Sequence, residues 1–123
     1  MNERSIRDQR GRSERGSGTV LAAALGMVLI LVTSFMLLLA QSAVLASQSA
    51  AAADLAALAG ADALRGVSAG DPCAVAAAVA ARHEALLISC SEGSDQSVEV
   101  RTQSIARTVL GSATGRARAG PPP

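Results

Sequence analysis

The longest uncharged stretch of the chain covers residues 16–53, and its centre is strongly apolar. Residues 20–40 contain no Asp, Glu, Lys or Arg. At about 1.5 Å per residue, a helix of this length spans the roughly 30 Å of bilayer hydrocarbon. Five arginines precede the stretch and the next one is Arg65, so the positive-inside tendency places the N-terminus in the cytoplasm. The pattern predicts a single pass through the cytoplasmic membrane over 20–40, with an arginine-rich cytoplasmic leader over 1–15 and the rest of the chain outside.

A cleaved secretory signal is another interpretation of this stretch. Such signals have an apolar region of roughly 7 to 15 residues, followed by small residues at the cleavage site. The apolar region here is longer, although VLAS at 44–47 offers a site near Ala46. Length favours the anchor, whereas cleavage near Ala46 would release a secreted effector or binding protein.

Helical character continues beyond the membrane segment. The sequence QSAVLASQSAAAADLAALAGADALR, at 41–65, has no proline and is rich in alanine, the best helix former. Gly66 is the first residue that favours a helix end. We therefore predict one helix over 16–65, of which 41–65 projects from the membrane.

The projecting part of this helix has two different faces. Leu55 and Leu58 share one face with charged residues, so the pattern is not a simple coiled-coil stripe. The opposite face consists of small residues: Ser49, Ala52, Ala56, Ala59, Gly60 and Ala63. Small residues let helix backbones approach closely, as in membrane and filament bundles. Any face looks small in so alanine-rich a chain, and both interpretations remain open.

A short helix and two strands are predicted after the break GVSAGDP. Asp71 and Pro72 provide an N-cap and a first-turn proline, so a short helix should run from Cys73 to about His83. ALLISC then has the pattern of a buried strand, SEGSDQ that of a turn, and SVEVRTQ that of a half-exposed strand. SIARTVL extends that strand or forms another.

The predicted fold class is thus α+β, with a small extracytoplasmic unit over 66–110 that contains an antiparallel β element. The remaining segment, GSATGRARAGPPP at 111–123, lacks core-forming residues and is expected to be disordered. Aromatic residues make up 1% of the chain, and Phe35 is the only one. Large side chains that could stabilise a core are therefore scarce. The net charge of +1 gives no reason to expect a nucleic-acid partner.

Two cysteines occupy positions that a chain reversal would bring together. Cys73 begins the short helix and Cys90 ends the following strand. About 10 helical residues rise roughly 15 Å, and about 5 strand residues return roughly 16 Å. Outside the membrane the compartment is oxidising, so we predict a Cys73–Cys90 disulfide. Free thiols, or a redox enzyme that uses this pair, are the alternatives.

No motif in the sequence indicates catalysis. His83, the only histidine, stands beside Glu84 without a Ser or Asp motif that would make it a base. Phosphate-binding loops, dinucleotide fingerprints and carboxylates at metal-binding spacing are absent from the sequence. We therefore expect no enzyme activity, cofactor, metal or small-molecule substrate.

Several segments together resemble the TadE-like proteins of actinobacteria. These segments are the arginine-rich start, ERGSGTV running into the membrane helix, QSAAAADLAALAGADAL just outside it, the cysteine pair around AAAVAARHEALLISC, and RARAGP. The family contains small single-pass relatives of the TadE and TadG pseudopilins of tight-adherence (Flp) pilus systems. The resemblance covers 14–121. It implies a non-enzymatic minor pseudopilin or assembly component that packs its helix against other pilus or secretion-system subunits, including copies of itself.

The resemblance also implies cleavage by a prepilin peptidase after Gly16, leaving Ser17 as the new N-terminus. Pilin-like leaders usually carry Glu at the fifth position after the cut, where it neutralises a neighbouring subunit's amine. Leu21 stands there in this chain. Since a buried charge pair needs both members, either the subunit is not packed in the usual filament register, or it remains a membrane-embedded minor component. Location at the cell surface or in the medium after processing remains open.

Overall fold

A computed structural model describes residues 3–122, with the backbone alone for 5–15. It confirms the predicted α+β class. The elements are α1 (Glu3–Leu64), α2 (Pro72–Arg82), β1 (Ala85–Glu92), β2 (Val98–Thr108) and β3 (Gly111–Ala119). The chain divides into two compact units, Met1–Leu39 and Ala40–Pro123.

Helix α1 is longer than predicted at its N-terminal end. The described helix already includes Glu3, and the polar leader contains no proline that would interrupt it. It ends at Leu64, where Gly66 adopts a left-handed φ of 75°. There the Val67 amide donates to the Asp62 carbonyl at 2.9 Å, which satisfies one of the last carbonyls of the helix. The predicted end of the helix is therefore confirmed.

Helix α2 forms where the sequence predicts it. The Asp71 carboxylate accepts a hydrogen bond from the Ala74 amide at 2.9 Å, and Pro72 occupies the first turn. The chain then reverses at His83 and Glu84, the latter with a φ of 55°. β1 follows directly and returns antiparallel to the direction of the helix, as the cysteine argument requires.

The three strands form one antiparallel sheet in the order β1-β2-β3. SIARTVL extends β2 as far as Thr108. The prediction of a disordered segment over 111–123 is wrong for 111–119, because these residues form β3 and pair with β2; residue 123 lies outside the described residues. The inward positions of β3 are small enough to approach a helix closely, so the strand needs no large apolar residue to pack.

The core lies between α1, α2 and the inner face of the sheet. Its buried residues are Ala52, Ala53, Ala56, Ala57, Ala61, Ala76, Ala80, Ala85, Val98 and Val100. The largest fully buried side chains are those of Val98, Val100, Thr102 and Ser49. A core of alanine and valine buries little apolar area per residue, so the unit depends on close backbone approach and on its covalent crosslink.

Candidate interaction surfaces

The small-residue face of α1 is buried within the chain's own C-terminal unit, Ala40–Pro123. Ala52 and Ala56 are fully buried in the core cluster, Ala63 is buried and Ala59 is half-buried. At Gly60, an added Cβ would stand 3.1 Å from the Pro72 carbonyl oxygen and 3.2 Å from a Val98 methyl group. This face packs against α2 and the sheet of the same chain. A helix of another subunit could reach it only by displacing these elements.

Polar groups connect α1 to two strands near residue 49. The Thr102 hydroxyl donates to the Ser49 carbonyl oxygen at 2.9 Å, and the Ser49 hydroxyl donates to the Ala113 carbonyl oxygen at 3.3 Å. Among the described residues, every buried side-chain nitrogen or oxygen has a hydrogen-bond partner. Since an unpaired buried polar group is costly, these bonds allow a polar contact to lie inside the core.

The opposite side of α1 carries an exposed apolar stripe, formed by Val44, Ala51, Leu55 and Leu58, which we call the outer stripe. At 100° per residue these four positions lie within about 60° of one another. All four are exposed, and Leu58 retains 56% of its accessible surface. Beyond the stripe, Asp62 forms an exposed ion pair with Arg65 at 2.7 Å. The stripe is thus available to a partner, whereas the small-residue face is not.

The apolar part of α1 has the properties of a membrane anchor. Gly16–Leu64 is long and apolar enough to cross a bilayer; its most apolar 18-residue window has a mean hydropathy of 2.6, with none of it buried. Within it, the hydroxyls of Thr33 and Ser34 donate to the carbonyl of Ile30 at 3.0 and 2.7 Å. Polar side chains in lipid must be satisfied internally, and these hydroxyls are. The segment is compatible with a single-pass anchor.

The candidate cleavage site lies inside α1. Gly16 and Ser17 are helical and exposed, and the Gly16 carbonyl accepts a hydrogen bond from the Thr19 hydroxyl at 3.0 Å. A Cβ added at Gly16 or Gly18 would meet nothing within 4 Å. Packing within the chain therefore does not require either glycine. Two glycines within three residues weaken the helix by roughly 1 kcal/mol each, which favours local opening of the backbone.

The predicted disulfide is confirmed. Cys73 and Cys90 are bonded, with their Cα atoms 5.9 Å apart, and both residues are half-buried. The bond joins the first turn of α2 to β1. His83 and Glu84 are exposed at the reversal that follows α2. Within the described part of the chain, no group of three His, Cys, Asp or Glu residues is placed to hold a metal ion.

The hairpin between β2 and β3 lies beside α1 and was not recognised from the sequence as a surface. A groove of about 370 Å³ separates helix residues 42–46 from hairpin residues 108–113. Val109 and Leu110 at the turn retain 89% and 69% of their accessible surface. The signal in the sequence was an apolar pair placed directly before Gly111, where a turn is expected to be polar.

Comparison with known proteins gives no relative from which a role could be transferred: the chain matches no protein-family model, no curated protein and no solved structure. Its function is therefore argued from its own residues. The apolar surfaces that the described residues expose include the apolar part of α1, the outer stripe and the β2–β3 hairpin.

Proposed function

We propose that the chain is a non-enzymatic, membrane-anchored minor pseudopilin or assembly subunit of a tight-adherence (Flp) pilus or a related secretion system. Residues 20–40 would anchor it, with the N-terminus in the cytoplasm and the disulfide-linked unit outside. The observation that carries the proposal is that α1 combines an unburied apolar segment with an outer stripe that stays apolar and exposed up to Leu58. The TadE-like sequence segments supply the system to which such a helix would belong.

The outer stripe would be the surface that packs against other subunits. Leu55 and Leu58 are three residues apart, and neighbours at this spacing form the ridge that a second helix packs against. Burial of one exposed leucine stabilises an interface by roughly 1.5–3 kcal/mol. Because the small-residue face is occupied by the chain's own sheet, the leucine side is the part of α1 that can dock without unfolding the unit.

Site-specific photocrosslinking in cells that carry the native secretion system tests the docking. A benzophenone amino acid at Leu58 should crosslink to another membrane subunit or to a second copy. The matched control is Val67, an apolar residue that is 75% exposed in the loop after α1. Equal crosslinking at the two positions, or none at Leu58, would contradict the proposed role of the stripe.

Processing is tested by mass spectrometry of the mature N-terminus in each cell fraction. A start at Ser17 supports a pilin-type leader, and an intact Met1 in the membrane supports a plain anchor. A start near residue 47 with product in the medium would replace the proposal with a secreted effector or binding protein. That cut would leave Ser49 and the small-residue face attached to the sheet, so the released unit would keep its core helix.

A further inference from the structure

The turn between β2 and β3 exposes two adjacent apolar side chains. Val109 and Leu110 are 89% and 69% exposed, although turns usually carry polar residues and glycine. The turn between β1 and β2, by contrast, contains Ser94, Asp95 and Gln96. The two turns lie at opposite ends of the sheet, so one end is polar and the other is apolar.

The apolar turn lies at the end of the unit where α1 leaves the predicted membrane span. The groove that the hairpin forms with α1 is lined by helix residues 42–46, and the membrane span predicted from the sequence ends at Ala40. At about 1.5 Å per residue, those helix residues lie roughly 3–9 Å beyond the hydrocarbon. The headgroup region on each side of a bilayer is about 5–8 Å thick. If residues 20–40 span the bilayer, the helix residues beside the hairpin therefore lie at the level of the lipid headgroups.

From this turn β3 runs away from the membrane, alongside α1. Ala113 accepts its hydrogen bond from Ser49, and the strand ends with Ala119 paired with Val98, which lies against Gly60. Later residues of β3 therefore lie beside later residues of α1, so the strand and the helix run in the same direction. Position 109 is consequently the membrane-proximal end of the sheet.

The charges near the turn suit an anionic surface. Arg107, two residues before Val109, is exposed, and the sequence has no acidic residue after Glu99. The acidic residue close to this end is Glu84, whose backbone carbonyl accepts from the Ile105 amide at 3.0 Å; Arg82 and His83 precede it. An arginine beside an apolar tip can lay its stem along lipid and its guanidinium against phosphate.

We propose that the tip of the β2–β3 hairpin, Val109 and Leu110, docks into the headgroup layer of the membrane that α1 spans, with Arg107 against lipid phosphates. The occupant of this apolar surface is the lipid itself. The inference rests on the membrane anchor of the proposed function and adds a second attachment point. Two attachments would hold the extracytoplasmic unit against the bilayer, whereas the helix alone would leave it free to tilt away.

Single-tryptophan fluorescence of the full chain in lipid nanodiscs tests this docking. The chain contains no Trp or Tyr, so an introduced indole is the sole reporter. Val109→Trp reports on the tip, and Val67→Trp is a matched control at another exposed valine, 75% exposed. Nanodiscs of phosphatidylcholine and phosphatidylglycerol are prepared with ordinary or brominated acyl chains. An intact Cys73–Cys90 disulfide in each variant verifies folding.

The expected result is that V109W emits at a shorter wavelength than a hydrated indole and that brominated lipid lowers its emission intensity several-fold. V67W should emit at the wavelength of a hydrated indole, with an intensity that brominated lipid does not change. Adding Arg107→Glu to V109W should make this loss of emission intensity smaller in anionic nanodiscs.

If iodide in the solvent quenches the indole at 109 as strongly as the indole at 67, the docking of the tip is overturned, although the anchor is not. The emission of V109W could be blue-shifted without any loss of intensity in brominated lipid. If that shift disappears when more discs are supplied per chain, the tip contacts a second copy of the chain instead of lipid. Failure of both variants to co-purify with lipid would overturn the anchor, and the docking with it.

Discussion

The backbone of Gly115 in β3 lies directly against the Ser49 carbonyl of α1: a Cβ on the glycine would stand 2.6 Å from that carbonyl carbon and overlap its oxygen. The same oxygen accepts the hydrogen bond of the Thr102 hydroxyl at 2.9 Å. One helical carbonyl thus determines how closely two strands approach the helix. Any atom added at position 115 must push β3 away from α1.

Gly115→Ala is therefore expected to destabilise the C-terminal unit by about 1–3 kcal/mol, the usual cost of overpacking a tight interface. Scanning calorimetry of the detergent-solubilised chain measures the effect. Thr114→Ala is the control, because the Thr114 side chain is exposed on the other face of the same strand. Equal transition temperatures for the two variants would show that β3 does not approach the helix this closely.

Removing the Cys73–Cys90 disulfide should also lower the free energy of unfolding of the unit. Cys73→Ala combined with Cys90→Ala opens a loop with a sequence separation of 17 residues, and the chain-entropy cost of such an opening is about 3 kcal/mol. For a unit of this size that loss lowers the melting temperature by more than about 10 °C. Reduced wild-type protein should melt with the double variant. If the oxidised, reduced and substituted forms melt together, the disulfide contributes nothing.

The polar end of the sheet should respond to acid. The Ser97 hydroxyl donates to Asp95 at 2.6 Å and lowers the pKa of that carboxyl below its ordinary value of 3.8, and Arg118 at 2.8 Å lowers it further. A carboxyl whose pKa is depressed in the folded state stabilises the fold at pH values above its unfolded-state pKa. This contribution is lost as the pH falls through the folded-state pKa.

The difference in melting temperature between wild type and Asp95→Asn should therefore be present at neutral pH and should shrink below about pH 4. A difference that does not change between neutral pH and pH 3 would contradict this. Because Asp95 is exposed, the effect should be small.

Leader processing offers a test that separates two glycines, Gly16 and Gly18, which flank Ser17. Neither Gly16 nor Gly18 is required by packing, and both lie in exposed helix. If a peptidase cuts after Gly16, then Gly16→Leu should abolish the start at Ser17, whereas Gly18→Leu should retain it. Mass spectrometry of the membrane fraction distinguishes the products. Equal processing of both variants would place recognition elsewhere in the leader.

Local signals were sufficient to predict most of the C-terminal unit. Asp71 and Pro72 identified the start of α2, Gly66 identified the end of α1, and the alternation around Val98 and Val100 identified β2. In each case the residue that defines the element also lies in it or next to it. The disulfide followed from the same local elements, since the lengths of one helix and one strand determine where the chain returns.

A residue whose role depends on a partner distant in the sequence could not be interpreted from its local pattern. In GSATGRARA, the small residues Gly115, Ala117 and Ala119 alternate with Thr114, Arg116 and Arg118, which is the pattern of a strand with one face turned inward. The pattern was overlooked because inward strand residues are usually large. They are small here because small residues of α1 lie against them. The sequence of the strand by itself does not show that it packs against α1.

The small-residue interface has a consequence for how the sequence can change. At Ala52, Ala56, Gly60 and Gly115 the side chains are already the smallest or nearly the smallest available, so nearly every substitution adds atoms and almost none removes them. Mutational damage to this unit should accordingly appear as separation of helix and sheet, and hardly ever as a cavity. Accepted substitutions should instead concentrate at the outward positions, including the outer stripe and the hairpin tip. There, new partners can be acquired without loss of folding stability.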